Sequence, residues 1–579
     1  MNAQSVQMAY DYYKKGEYQK AATVYEKLHK KNANNRSYFK MLLRCYQQTE
    51  DYSKSETLIN TQQLKFPKQH YLAVELGYNY QLQGLKDKAE PLYLKAIKKA
   101  KEIPSTARMT GKTFQDNSML DYALQVYKEG AKTKNNLSFQ LYIATIYGEK
   151  GEIENMFDAY LDMAQSNSKY VTTIQRYISK FITDDEENLN NILFKKLLIK
   201  RLQNRPNIGL TKMLSWVFMQ QKDYDKALAQ EKAIFLRSSN NLTRIFDLAS
   251  ISTQEKYYDT AKKTYHFIIG NTNNQQDILK AQLNLIQIEI ATAKNETDYN
   301  MVETTFQQLF SKYGKGRNTV NLQIAYADFL VFTKNNPNDA IDVLKNALTV
   351  ASSRYMKGDI KIKLADIMVY SNKFNQALIN YTQVQSNLRG SEVAQRARLK
   401  VAKTSYYKGD FDWAKTQLKV LKSATSKLIS NDALKLNLLV GDNIAGDTIR
   451  IALKKYAQAD LLAYQNKTKE AIDTLSVILK DFKGHAVEDE ALFLQATLYK
   501  KLHQFEFAED NYHKIIRIKK EGILVDNAYF ELGTLYENEL NDTEKAKEMY
   551  QKIIFEFANS IYLVDARKRF RKLRGDIIK

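Results

Sequence analysis

The chain has 579 residues, 44% of them hydrophobic and 26% charged, with a formal net charge of +22. That content supplies a core with only five prolines to interrupt helices, while the single cysteine, Cys45, excludes an internal disulfide and a thiolate metal site. No apolar run reaches the length of a transmembrane helix, and Met1-Asn2-Ala3-Gln4-Ser5 opens without the basic region and apolar stretch of a signal peptide.

From its start the sequence repeats one unit. A helix ends at Lys15, Gly16 can take a left-handed turn without steric penalty, Tyr18 fills the corner, and Ala21 lets the next helix lie close. The hexad Gly16-Glu17-Tyr18-Gln19-Lys20-Ala21 returns from Gly84 to Ala89, Asn372 to Ala377, Gly409 to Ala414, Asn466 to Ala471 and Asn541 to Ala546, with Asn the usual substitute for Gly. Ahead of the turn stands an anchor residue, at Ala9, Leu43, Gly77 and Gly111, at equal intervals of 34. An aromatic follows three residues later (Tyr12, Tyr46, Tyr80, Phe114), and another lies four past the turn alanine (Tyr25, Tyr93, Tyr127). Ser55 replaces the turn alanine of the second unit.

This combination of period and offsets resembles the tetratricopeptide repeat family. The resemblance implies an all-α fold, a right-handed superhelical solenoid of stacked antiparallel helix pairs, with about 12–16 repeats along the chain. It also implies recognition of protein rather than chemistry.

Five units in register occupy 1–165, the fifth built on Ala144, Tyr147, Met156 and Tyr160 with Gly151 at its turn. Register is lost over 166–210, an irregular helical segment. There Thr183-Asp184-Asp185-Glu186 reads as a capping box that opens a helix carrying Lys195, Lys196, Lys200 and Arg201 toward its other end. A divergent array follows over 211–422, on turn alanines Ala227, Ala261, Ala340, Ala377 and Ala414, and it is loosest over 271–320. The segment 423–448 breaks the pattern and is expected as a linker. Over 449–579 the anchors Ala459, Ala496 and Gly533 lie 37 apart, and a capping helix ends the array.

In this last array Asp489 to Leu494, Asp526 to Phe530 and Ser560 to Phe570 resemble bacterial envelope repeat proteins. These include the repeat lipoprotein of the outer-membrane barrel-assembly machine and the Tol-associated periplasmic coordinator. Asn2-Ala3-Gln4-Ser5 likewise resembles the surroundings of a signal cleavage site. The resemblance implies a periplasmic chain, mature and without its signal peptide, that serves envelope assembly or secretion. No lipobox cysteine supports a lipid anchor.

No catalytic, cofactor or metal site is expected. Gly441 to Thr448 has the glycine spacing of a phosphate loop, but Asp447 stands where lysine is required and would repel phosphate, so the stretch reads as a helix connection. The six histidines show no ligand spacing, and Cys45 has no histidine near it in sequence.

Recognition is a different matter. In solenoids of this family the first helix of each unit lines a concave groove. Counting from the anchors, the resemblance assigns to that groove Tyr10, Tyr13, Lys40, Arg44, Gln47, Tyr78 and Gln81, and in the later units Lys403, Tyr406, Tyr456, Asp460, Phe493, Thr497 and Lys500. Tyr10, Arg44 and Tyr78 share one groove position and are expected to form a ladder, with Arg44 and Lys40 holding a carboxylate. The expected partner is a protein or extended peptide carrying acids. By charge, residues 451–579 carry only about +1, so the basic excess lies before them. Peripheral attraction to anionic surfaces follows from it, but no specific nucleic-acid module does. Two other functions remain open: a cytosolic repeat scaffold or co-chaperone, and a basic solenoid binding nucleic acid or another polyanion.

Overall fold

The computed structural model describes residues 2–132, 137–238, 241–421, 426–444, 450–518 and 522–575. Among these residues the fold is all-α: 32 α-helices and three short 3-10 turns, with no strand. The chain divides into two compact units, 1–244 and 245–579. Within each, successive helices pack as antiparallel pairs, such as Asn2–Lys14 with Tyr18–Lys31 in the first unit and Ile451–Tyr464 with Thr468–Asp481 in the second.

The repeated hexad forms the turn that its residues call for. At Gly16 (φ +77°) the backbone N–H of Glu17 reaches Tyr12 O (2.9 Å) and that of Gly16 reaches Tyr13 O (3.1 Å), the paired bonds that close a helix through a left-handed residue. Asn372, Asn466, His503 and Asn541 adopt the same conformation. So do Glu50, Ser118, Lys222 and Lys256, where neither Gly nor Asn is present. There the docking of the second helix decides the turn against local preference.

The anchor and the later aromatic are one contact. A Cβ added at Gly77 would lie 2.5 Å from the Tyr93 ring, and at Gly533 2.5 Å from the Tyr550 ring. Each glycine therefore makes room for the tyrosine four residues past the following turn alanine. The turn alanines themselves are fully or almost fully buried, Ala89 at 2% exposure and Ala21, Ala377 and Ala508 at 0%.

Ser55, which takes that place in the second unit, is equally buried, and its hydroxyl has no hydrogen-bond partner. Ser55→Ala is expected to stabilise the chain by about 1 kcal/mol, since it removes a desolvated, unpaired hydroxyl and restores the small apolar residue. Urea unfolding followed by circular dichroism checks this, and an unchanged or lower midpoint would contradict it.

The helix expected to open at Thr183 opens later, at Leu189, and runs Leu189–Asn204. Its cap is Asn188, whose side chain accepts from the backbone N–H groups of Asn190 and Asn191. Residues 183–185 form a loop instead, because the fully buried Asn191 amide donates to the carbonyls of Thr183 (2.9 Å) and Asp185 and holds them out of helical geometry. The segment expected as a linker contains the helix Lys427–Ile444. Gly441 belongs to that helix, whereas Gly446, Asp447 and Thr448 of the phosphate-loop-like stretch lie outside the described residues.

In the second unit the first helices of successive pairs also touch one another. Val320–Phe332 meets Arg354–Tyr370, which meets Glu392–Lys408, which meets Ile451–Tyr464, which meets Glu488–Lys501. Helices this close along the array form the inner layer of its curl. Long-range bonds tighten the curl: Gln465 Nε2 donates to Tyr370 O (2.9 Å), Asn466 Nδ2 to Phe332 O (2.9 Å) and the Tyr464 hydroxyl to Asp366 O (3.3 Å).

Candidate partner-binding groove

In the first unit Arg44 and Lys40, the expected groove cations, are engaged inside the chain. Arg44 donates to Gln47 Oε1 (2.6 Å) and to Asn117 Oδ1, pairs with Glu75 (3.2 Å), and lies over the Tyr78 ring at 5.4 Å from its centroid. Glu75 is buried on the Tyr71–Leu82 helix, so the guanidinium matches a charge already present. Lys40 pairs with Asp116, which also meets Lys112 at 2.8 Å. Burial opposes the charge of Asp116, yet the two lysines hold its carboxyl below the ordinary value.

The ladder is therefore partial. Arg44 and Tyr78 are in contact, whereas Tyr10 is exposed and carries Lys14 over its ring. Tyr13 packs edge-on against Tyr18 at 5.3 Å, Gln47 is buried with its Nε2 unpartnered, and Gln81 accepts from the Tyr93 hydroxyl (2.8 Å). Glu75, Asp116 and Asn117 escape a reading by groove position. Their signal is an acid or amide on the next two first helices, which only the folded register brings opposite Lys40 and Arg44.

The inner layer of the second unit has two halves of different character. In one, the polar groups are satisfied. Lys363 pairs with Asp328 (2.6 Å) and Lys400 with Asp366 (3.0 Å), while the Tyr381 hydroxyl donates to Asp366.

In the other half they are not. Tyr406 is fully buried and Tyr407 is 9% exposed, and neither hydroxyl has a hydrogen-bond partner. On the adjoining helix Lys427–Ile444, Asn443, 1% exposed, donates to Leu439 O (2.9 Å) and Glu490 Oε1 (3.4 Å), but its own Oδ1 and Glu490 Oε2 are unpartnered. Asp460 and Glu490 both act on Tyr406 and Tyr456, which places these groups in one cluster. Burial, reinforced by the carboxylates, pushes all three tyrosine hydroxyls well above their ordinary range.

The carboxyls shift the same way. Burial raises Asp460, which Lys403 partly offsets, and burial together with the neighbouring Asp489 pushes Glu490 up to about 8. Lys403 itself lies over the Tyr407 ring at 5.5 Å. Of the groove residues expected here, Lys403, Tyr406, Tyr456 and Asp460 come together. Phe493 packs edge-on against Tyr512 (5.6 Å), Thr497 Oγ1 donates to Phe493 O (3.0 Å), and Lys500 pairs with Glu531 (2.6 Å). Tyr407, Asn443 and Glu490 were not legible from groove position.

The profile of the tetratricopeptide repeat family matches residues 5–35 and 527–560, the first helix pair and the pair Val525–Asn538 with Thr543–Glu556. These two helix pairs are of the tetratricopeptide type. Solved structures similar to the chain include Naa15/Naa10 bound to HypK-THB, at 10% identity over 99% of this chain and 96% of that one, with a TM-score of 0.29. The APC/C hetero-tetramer Cut9-Hcn1 shares 13% identity over 97% and 95%, with a TM-score of 0.24. A monomeric mutant of IFIT1 with m7Gppp-AAAA shares 15% over 66% and 86%, with a TM-score of 0.26. Likeness at these scores carries no inference about function. No curated protein matches the sequence.

Proposed function

We propose that the chain is a non-enzymatic scaffold that holds an extended segment of a partner protein on the inner helix layer of its second unit. The observation that supports this is the set of buried, unpartnered polar groups at Tyr406, Tyr407, Asn443 and Glu490. Such groups are costly unless satisfied, and a docked segment can satisfy them. The acid-bearing partner expected from Lys40 and Arg44 loses its ground, because Asp116 and Glu75 already occupy those cations.

We place the scaffold in the bacterial periplasm, in envelope assembly or secretion, on the resemblance of the segments at 489–494, 526–530 and 560–570. No helix among the described residues is long and apolar enough to cross a membrane. One experiment addresses both partner and place: a photo-crosslinking residue at Lys403, expressed in the native host, with the same residue at the exposed Ile379 as control. The expected result is one dominant adduct with an envelope protein, formed from position 403 and not from 379. Equal adducts from both positions would contradict the groove, and a cytosolic partner would contradict the location.

A further inference from the structure

The helix Leu563–Arg574 buries one residue, Ala566, and carries six Lys and Arg against a single acid, Asp565. Residues 451–579 as a whole carry only about +1, so the array before this helix is on balance acidic and the cations are gathered on its last element. Helical spacing sorts them. Arg569, Phe570 and Leu573 turn inward, where Arg569 pairs with Glu537 (2.7 Å) and the other two pack against the core. Arg567, Lys568, Arg571 and Lys572 recur at three- and four-residue intervals on the opposite face, and all four are exposed. Among the described residues the side chains of Arg567, Arg571 and Lys572 have no ion pair or hydrogen bond. Val564 opens the same face at 74% exposure, and Ile561 stands just ahead of it at 81%. Phe555, at the adjoining end of the antiparallel helix Thr543–Glu556, is 73% exposed.

We infer that this face docks on an anionic lipid bilayer, with the cations along the helix against the head groups and Ile561 and Val564 entering the boundary with the acyl chains. Single exposed apolar residues are ordinary, but three large ones this bare at one end of an unpaired basic face form a patch. A helix with a basic outer face and apolar side chains beside it lies in the plane of a charged membrane and uses both features. A second copy of the chain would set like charges against each other. A nucleic-acid strand would use the cations but find no stacking face in Ile561 or Val564. Asp565 lies in the first helical turn, where the helix dipole favours an acid, at the border of the face.

The test is sedimentation of the full chain with vesicles of phosphatidylcholine, alone or with phosphatidylglycerol added, at physiological salt. Binding is expected only to the vesicles that contain phosphatidylglycerol. Arg567→Gln, Arg571→Gln and Lys572→Gln together should weaken it by roughly 100-fold, the scale for three cations at an anionic surface. Ile561→Ser with Val564→Ser keeps every charge and should weaken it by roughly 10-fold. All five positions are exposed, so the variants are expected to fold. The same neutralisation at the exposed Lys27, Lys95 and Lys98 of the first unit should leave binding nearly unchanged. No binding to the anionic vesicles would overturn the inference. So would an equal loss from the first-unit variant, because diffuse attraction to a chain of net charge +22 would then account for it. Full vesicle binding by the serine variant, with a single-stranded RNA oligomer that binds the parent and is lost by the glutamine variant, would make the face a nucleic-acid site and overturn it as well.

Discussion

Arg44→Ala is expected to destabilise the first unit by about 3 kcal/mol, the scale for removing one partner of a buried ion pair. The side chains are 14% exposed at Arg44 and 4% at Glu75, so water cannot replace the lost guanidinium. Asn117 Nδ2 approaches Glu75 at 3.5 Å, too long to compensate for the charge. The contact with the Tyr78 ring and the bond to Gln47 are lost as well. Removing both charges together, as Arg44→Met with Glu75→Leu, should recover most of the stability, because two well-packed apolar side chains carry no desolvation penalty. Urea unfolding of the three variants checks this, and an Arg44→Ala chain that unfolds like its parent would contradict it.

Gly111→Ala poses two effects of opposite sign. On helix propensity alone alanine is better than glycine by about 1 kcal/mol in a helix interior. Packing says otherwise: the new Cβ would lie 2.3 Å from the Tyr127 ring. That ring is fully buried and stacked on Tyr142 at 5.0 Å and 22°, so it cannot swing aside cheaply. Overpacking of this kind costs about 1–3 kcal/mol, and at so short a separation it outweighs propensity. A lower melting temperature is expected, partly restored by Tyr127→Leu, in a double-mutant cycle whose coupling shows that the two residues act as one contact. A Gly111→Ala chain as stable as the parent would mean that the anchor and ring do not meet.

This contact also marks how far sequence reading reaches. Gly111 and Tyr127 lie 16 residues apart within one helix pair, and their recurrence at Gly77 and Tyr93 makes the pairing visible as a period. The left-handed turn at Gly16 was equally legible, because glycine is chosen there for its backbone. At Lys222 and Lys256 the same turn leaves no local trace. The helix start at Leu189 was misplaced because an acidic run after Thr183 imitates a cap, while the residue that decides, Asn191, acts through a buried side chain that no local pattern reveals. The groove was legible only as a face. Which of its residues are satisfied depends on partners far along the chain, as with Arg44 and Asn117, or Asn443 and Glu490. Charge therefore pointed to Lys40 and Arg44, whereas the unsatisfied groups include those at Gln47, Tyr406 and Glu490.

The central claim is that a partner segment lies on the inner helix layer of the second unit. Hydrogen–deuterium exchange of the full chain, with and without the segment identified by crosslinking, tests it most directly. Slowed exchange is predicted in Glu392–Lys408, Ile451–Tyr464 and Glu488–Lys501. Protection confined to Arg36–Gln48 and Tyr71–Leu82 of the first unit, or to second helices such as Phe374–Asn387, would contradict it.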